Sequence, residues 1–242
     1  EAGIAKFMNG PESFTPDQHF ALGEAPGYPR LYIAAGFNSE GVEMGAGAGR
    51  ALAEWIIEGE AASDLSDVDV ARFHPFQVNK RYLGECAGES LGQIYAMPWP
   101  YKDREAGRPV RKSPVHDRLA ARGAVFGESM GWERANWFAP PGTEPVNRYD
   151  HHRPNWFPHV AAECAAVRTG VGMLEQSSFG KHLVQGRDAC RALQRLCAGD
   201  MNVAPGRIVY THMLNERGGI EVDVTVNRLA EDRYLIVSSA AF

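Results

Sequence analysis

No pair among the four cysteines, Cys86, Cys164, Cys190 and Cys197, forms a CxxC, and Cys190 and Cys197 stand two helical turns apart in an apolar-patterned stretch. Buried reduced thiols are therefore expected, not a zinc site or a disulfide framework. No apolar run approaches the ~20 residues that a membrane-spanning helix needs, and no basic, apolar, small-residue leader opens the chain. Positive charge is scarce too: 25 Lys and Arg face 30 Asp and Glu, a net charge of −5, and the basic residues are scattered. That removes the electrostatic footprint of nucleic-acid binding. A soluble, unsecreted protein with neither a nucleic-acid partner nor a membrane span is expected.

What is present suffices to build a core. The 242 residues, 44% of them hydrophobic and 10% aromatic, could make one large domain or two ordinary ones. The chain opens at Glu1 and stops at Phe242, just after the apolar run Tyr234 to Val237, so both ends read as cut.

Along the chain, Ile4 to Met8 suggests a short strand, followed by the turn signals Asn9-Gly10-Pro11 and Thr15-Pro16-Asp17, and a Gly- and Pro-rich loop from Gly23 to Arg30. Leu31 to Ala35 reads as a strand. It turns at Gly36 through Phe37, Asn38 and Ser39 into a helix from Gly41 to Glu58, closed by Gly59. Strand, glycine turn and helix form the α/β unit of nucleotide-binding sheets. Gly41, Gly45, Gly49 and Ala53 make one small-residue stripe, for which close approach of a sheet or cofactor is the simplest reason.

Further on, the pattern predicts a helix from Val70 to Glu85, a loop at 97–100, a short helix from His116 to Arg122, and a turn-rich segment. The word Arg-x-Asn-Trp-Phe occurs at 134–138 and 153–157, too little for a structural repeat. Pro140 to Pro145 reads as a linker at a domain boundary. Beyond it an α+β block is expected. It has an amphipathic helix at Val160–Gly170, strands at Val171–Leu174 and Lys181–Gln185, a helix at Asp188–Cys197, strands at Ile208–Leu214, Ile220–Arg228 and Tyr234–Ser238, and a turn at Asn215–Gly219.

Two constellations carry chemistry. The turn at Gly36 to Gly49 is no GxGxxG, since Arg50 stands where the third glycine would fall; it suits either a ligand at a helix N-terminus or simple packing. The turn ending in Gly218-Gly219-Ile220 delivers Asp223 onto a strand whose other face is Val222, Val224 and Val226. There the carboxylate is either a paired structural group, with Arg228 as one partner, or a ligand for an N–H-bearing or cationic substrate. His151-His152 reads as exposed loop, His116-Asp117 lacks a nucleophile, and the tryptophans read as packing, so no metal site or triad is expected.

Several words are familiar. Asn9 to Asp17, Ala35 to Gly41 and Gly47 to Ile56 resemble the end of the FAD-dependent domain in dimethylglycine and sarcosine dehydrogenases. Ser113 to Leu119 and Gly131 to Phe138 resemble that family's connecting region, and Gln176 to Lys181, Pro205 to Arg207 and Leu214 to Ile220 resemble its T-protein-like domain. The resemblance implies a fold that is α/β and α+β: the C-terminal part of an FAD-binding, glutathione-reductase-like domain at 1–62, a connecting region at 63–147, and the N-terminal part of an aminomethyltransferase-type folate-binding domain at 148–242.

It also implies a flavoenzyme that oxidatively demethylates a small N-methylated amino acid and passes the carbon to tetrahydrofolate, using electron-transfer flavoprotein or oxygen as acceptor. Other secondary or tertiary amines, and a non-catalytic folate-binding regulatory module, are the alternatives. The site residues carried over are Pro16, Asp17, Gly36, Phe37, Asn38, Ser39, Gly41 and Val42 for FAD, Tyr210 for folate, and Asp223 as catalytic carboxylate. A cytoplasmic location is implied, or the mitochondrial matrix in a eukaryote. Without the strand, glycine loop and helix that hold the ADP half, the chain as given is expected to bind no FAD and to be inactive alone.

Overall fold

The computed structural model describes residues 3–96 and 102–240; the loop expected at 97–100 lies outside them, Trp99 included. Two units are formed, one from residues 1–110 with 149–152 and the other from 111–148 with 153–242.

In the first unit, strands β1 (Ala21–Glu24) and β2 (Tyr32–Ala35) pair antiparallel, with Leu22 opposite Ala34. No strand forms at Ile4–Met8, which is exposed, and β1 arises inside the segment expected to be mostly loop. Helix α1 (Gly41–Glu58) ends where Gly59 takes φ 83° and donates its N–H to the Trp55 carbonyl. The small-residue stripe makes no close approach here: a Cβ on Gly45 or Gly49 would meet nothing within 4 Å. The close approach comes from β1 instead, where a Cβ on Gly23 would lie 2.6 Å from the Trp55 ring. The helix expected at 70–85 is replaced by 3₁₀ turns at Val70–Arg72 and Pro75–Val78 and by α2 (Lys80–Ile94). Pro75 cannot continue a helix, and Asn79 restarts one by accepting the Arg81 and Tyr82 amides on its side chain.

The second unit opens with α3 (His116–Ala120) and a hairpin that the sequence pattern does not announce, β3 (Ala124–Ser129) and β4 (Trp132–Phe138). Met130 and Gly131, both at positive φ, make its turn. Val125, Trp137 and Ala139 form a small core against Trp156 and Val160. Helix α4 (Phe157–Thr169) has no buried residue, so its expected amphipathic face is reduced to a narrow line. Along that line His159 stacks on Trp137 at 5.2 Å and Glu163 accepts the Phe138 amide at 2.9 Å. Val171–Leu174 is not a strand, and Val171, Met173 and Leu174 are exposed.

Strand β5 (Gly180–Gln185), helix α5 (Ala189–Leu196) and strands β6 (Ile208–Leu214), β7 (Ile220–Ala230) and β8 (Arg233–Ser238) follow in that order. They form an antiparallel sheet ordered β5-β8-β7-β6. Its core joins Ala189, Leu193 and Cys197 from the α5 region to Val224, Val226, Tyr234 and Ile236. Of the thiols expected to be buried, Cys86 and Cys197 are, Cys190 is half-buried and Cys164 is exposed on α4, where no core covers it. All four are free of disulfides. Among the described residues no helix is long and apolar enough to cross a membrane.

Candidate functional site

At the end of β2 the chain reverses through three left-handed residues, Gly36 (φ 68°), Asn38 (φ 51°) and Ser39 (φ 72°). Glycine is required at the first, because a Cβ there would lie 2.7 Å from the Thr15 methyl. Asparagine tolerates the left-handed region better than most residues. The reversal aims the start of α1 into an open recess of about 550 Å³. Its lining includes Gly36, Phe37, Asn38, Ser39, Gly41 and Val42, the six residues of the expected flavin loop. Helix geometry leaves the first-turn amides without intrahelical partners, at the positive end of the helix dipole. No side chain caps this end.

Two further residues expected at a cofactor are not among those lining the recess. Asp17 is held in a bidentate ion pair by Arg72, with Nε 2.7 Å from Oδ2 and Nη2 3.1 Å from Oδ1. The Pro16 carbonyl accepts from Arg104 at 3.0 Å and from Ser90 at 3.5 Å. Conversely, Glu12 and Ser13 line the recess and were not foreseen. Their signal in the sequence is the family-like word Asn9 to Asp17 that contains them.

In the second unit β7 alternates as expected: Val224, Val226 and Arg228 are buried, while Asp223 is exposed on the other face. The pairing sets His212 opposite Asp223 and Tyr210 opposite Thr225. The Tyr210 hydroxyl donates to Asp223 Oδ2 at 3.2 Å, and the Tyr210 and His212 rings meet edge to face at 5.6 Å. The Asp223 carboxylate raises the Tyr210 phenol above its ordinary pKa, through the hydrogen bond first and charge repulsion second. Arg228 is not the partner of Asp223: it points into the core and bonds Val203, Asn202 and Glu231. His212 was missed because a lone histidine in a strand gives no signal without its cross-strand neighbours.

The remaining candidates behave as packing or loop. His116 Nδ1 lies 2.9 Å from Asp117 and its ring stacks on Phe126 at 4.3 Å. His151 and His152 are exposed. Trp137 is buried in the hairpin core, with its indole N–H donated to Asn147 at 2.8 Å.

Residues 115–242 match the GCVT N-terminal domain family, and residues 58–113 match the FAD dependent oxidoreductase central domain family. The chain is 48% identical over 98% of its length to the 4-methylaminobutanoate oxidase (formaldehyde-forming) of Paenarthrobacter nicotinovorans. It is 36% identical over its whole length to the mitochondrial sarcosine dehydrogenase of Homo sapiens. Over 97% of its length it is 36% identical to the mitochondrial pyruvate dehydrogenase phosphatase regulatory subunit of Mus musculus. It spans 29%, 29% and 27% of those proteins, respectively.

Proposed function

The chain belongs to the family in which an FAD dependent oxidoreductase central domain runs into a GCVT N-terminal domain, and from that premise we propose that the whole protein oxidises a small N-methylated amino acid and hands the released carbon to tetrahydrofolate. The observation that carries the reading is the succession, in one chain, of a glycine-lined recess at a helix N-terminus and an open sheet face bearing Asp223. FAD, when bound, supplies the two-electron acceptor for the N-methyl carbon.

The residues present fit that group. Gly36, Phe37, Asn38, Ser39, Gly41 and Val42 would hold it, because side-chain-poor backbone admits a flat ring and the α1 amides favour negative charge beside them. Asp17 is outside that lining; its carboxylate is held by Arg72 and orders the turn it belongs to. On the sheet, Asp223 would accept an N–H from the pterin and would offset positive charge on the one-carbon unit being transferred. The Tyr210 hydroxyl orients the carboxylate. Electron-transfer flavoprotein or oxygen would take the electrons.

A leucine at Gly41 tests the flavin end. A Cβ there makes ordinary contact with Phe37 at 3.5 Å, so the helix should form, while the rest of the side chain fills the recess. Full-length Gly41→Leu is expected to lose most of its flavin and its amine-dependent dye reduction with little change in melting temperature. Normal flavin content would remove the assignment.

The folate end is tested by Asp223→Asn. Amine oxidation should stay near wild type while one-carbon transfer falls about tenfold or more, the scale of a lost charge-assisted contact of ~1.5–3 kcal/mol. A lowered melting temperature with an unchanged ratio of transfer to oxidation would make Asp223 structural.

The likeness to the methylaminobutanoate oxidase supports a second reading, an oxidase of a longer secondary amine that releases formaldehyde. The likeness to the phosphatase regulatory subunit supports a third, a non-catalytic folate-binding module. Comparing sarcosine, dimethylglycine and 4-methylaminobutanoate as reductants of the full-length protein, and assaying free formaldehyde with and without tetrahydrofolate, separates all three. A colourless, amine-inert protein would favour the last.

A further inference from the structure

The recess loop is strained, and its restraint comes from another segment. Asn38 and Ser39 are consecutive non-glycine residues at positive φ, a conformation that persists only where the surroundings impose it. Asn38 is 1% exposed. Its side-chain oxygen accepts the Thr15 amide at 2.8 Å and faces the Thr15 hydroxyl at 3.3 Å, while its side-chain NH₂ donates to that hydroxyl at 3.0 Å. The Asn38 main-chain N–H donates to the Ser13 carbonyl at 3.3 Å, which ties the two segments together a second time. Thr15, itself 8% exposed, also sets its methyl against Gly36, where a Cβ would come within 2.7 Å of it. Every polar group of the Asn38 side chain is thus spent on one residue of a segment twenty-three positions earlier.

We infer that Thr15 is a positioning residue for the flavin-facing loop, acting through Asn38. It holds Asn38 and Ser39 left-handed, so that the Gly36–Ser39 backbone and the first amides of α1 converge on the recess. The inference rests on the flavin reading of that recess. It differs from a general stabilising role because the hydroxyl is what Asn38 reads: threonine and serine satisfy the amide, whereas valine and alanine leave a buried NH₂ without that acceptor.

The test uses the full-length holoprotein with Thr15→Ser, Thr15→Val and Thr15→Ala, measuring the FAD dissociation constant, the flavin midpoint potential, the visible spectrum and the melting temperature. Valine should weaken FAD binding about tenfold, the scale of one buried hydrogen bond lost with its partner left behind. It should also shift the potential downward, because loosened amides stabilise the reduced ring less. Serine should recover most of both. If valine fails to fold, serine against alanine gives the same comparison, since both lack the methyl and differ only in the hydroxyl.

Wild-type affinity and potential in the valine or alanine variant would overturn the inference. So would a serine variant as impaired as alanine, or a melting loss with unchanged spectrum and potential. A full-length wild-type protein that carries no flavin would sink the flavin reading and this inference together, whereas a flavin-loaded wild type with indifferent variants sinks the inference alone.

Discussion

Arg228→Met is expected to lower the stability of the second unit by about 3–5 kcal/mol, the scale of several buried oxygens left without a donor at ~1–3 kcal/mol each. Arg228 is 6% exposed near the end of β7, and its guanidinium is surrounded by acceptors rather than by one counter-ion. Nη1 donates to the Val203 carbonyl at 2.6 Å and to Asn202 Oδ1 at 3.1 Å, and Nη2 donates to the Glu231 carbonyl at 2.9 Å. Its Cζ lies 5.4 Å from the centre of the buried Tyr234 ring. Methionine fills similar volume and removes every donor, so the buried oxygens lose their partners. The carboxylate of Glu231 lies 2.9 Å away but its side chain is 82% exposed, so that ion pair is a small share. Chemical denaturation of the full-length protein should therefore show a large loss for Arg228→Met and a change within about 0.5 kcal/mol for Glu231→Gln. Equal losses would mean that the ion pair with Glu231, not the hydrogen bonds to the carbonyls and to Asn202, carries the contribution of Arg228.

Gly123→Ala should cost about 3 kcal/mol, from two separable sources. Gly123 has φ 84°, where an L side chain is disfavoured by ~1–2 kcal/mol. In addition, a Cβ would enter the contact radius of the Ala139 carbonyl oxygen, at the base of the β3–β4 hairpin. The Ala139 amide donates to the Gly123 carbonyl at 2.8 Å, so relief of the clash also pulls on that bond. Gly142 is the internal control: it has φ 88° but nothing within 4 Å of a Cβ. Gly142→Ala is expected to lose only the backbone share, and similar losses for the two variants in thermal or denaturant unfolding would rule out the clash.

The parts of this fold legible in the sequence are those where one period or one punctuation mark governs. α1 runs between Gly41 and Gly59 because both ends are marked by glycine, and β6 to β8 follow from the alternation of Glu221 to Val226, the apolar run at Tyr234 to Val237 and the tight Asn215–Gly219 turn. The β3–β4 hairpin was hidden because its register shifts between Val125 and Phe126, and because its turn uses Met130 where Asn or Asp would have announced it. Val171–Leu174 misled in the opposite direction: the run is apolar, but burial is a property of neighbours and none covers it among the described residues.

At the candidate sites the same division holds. Local words placed the six recess residues and the exposed side of β7. The Arg72–Asp17 pair, the Thr15–Asn38 contacts and the His212–Asp223 register join segments far apart in the chain, and no local pattern encodes such a meeting.

The strand order β5-β8-β7-β6 also fixes a timetable. β6, β7 and β8 are consecutive and can zip as a meander through short turns, at little loop-closure cost. β5 precedes all three in the chain yet, among the described residues, pairs with β8 alone, Gly180 opposite Ser238, so it is synthesised first and docked last. During refolding, amides of the β6–β7 hairpin should resist solvent exchange before those that β5 shares with β8, and pulse labelling that found the reverse order would discard the scheme. Until it docks, β5 is the strand most open to a wrong partner during synthesis.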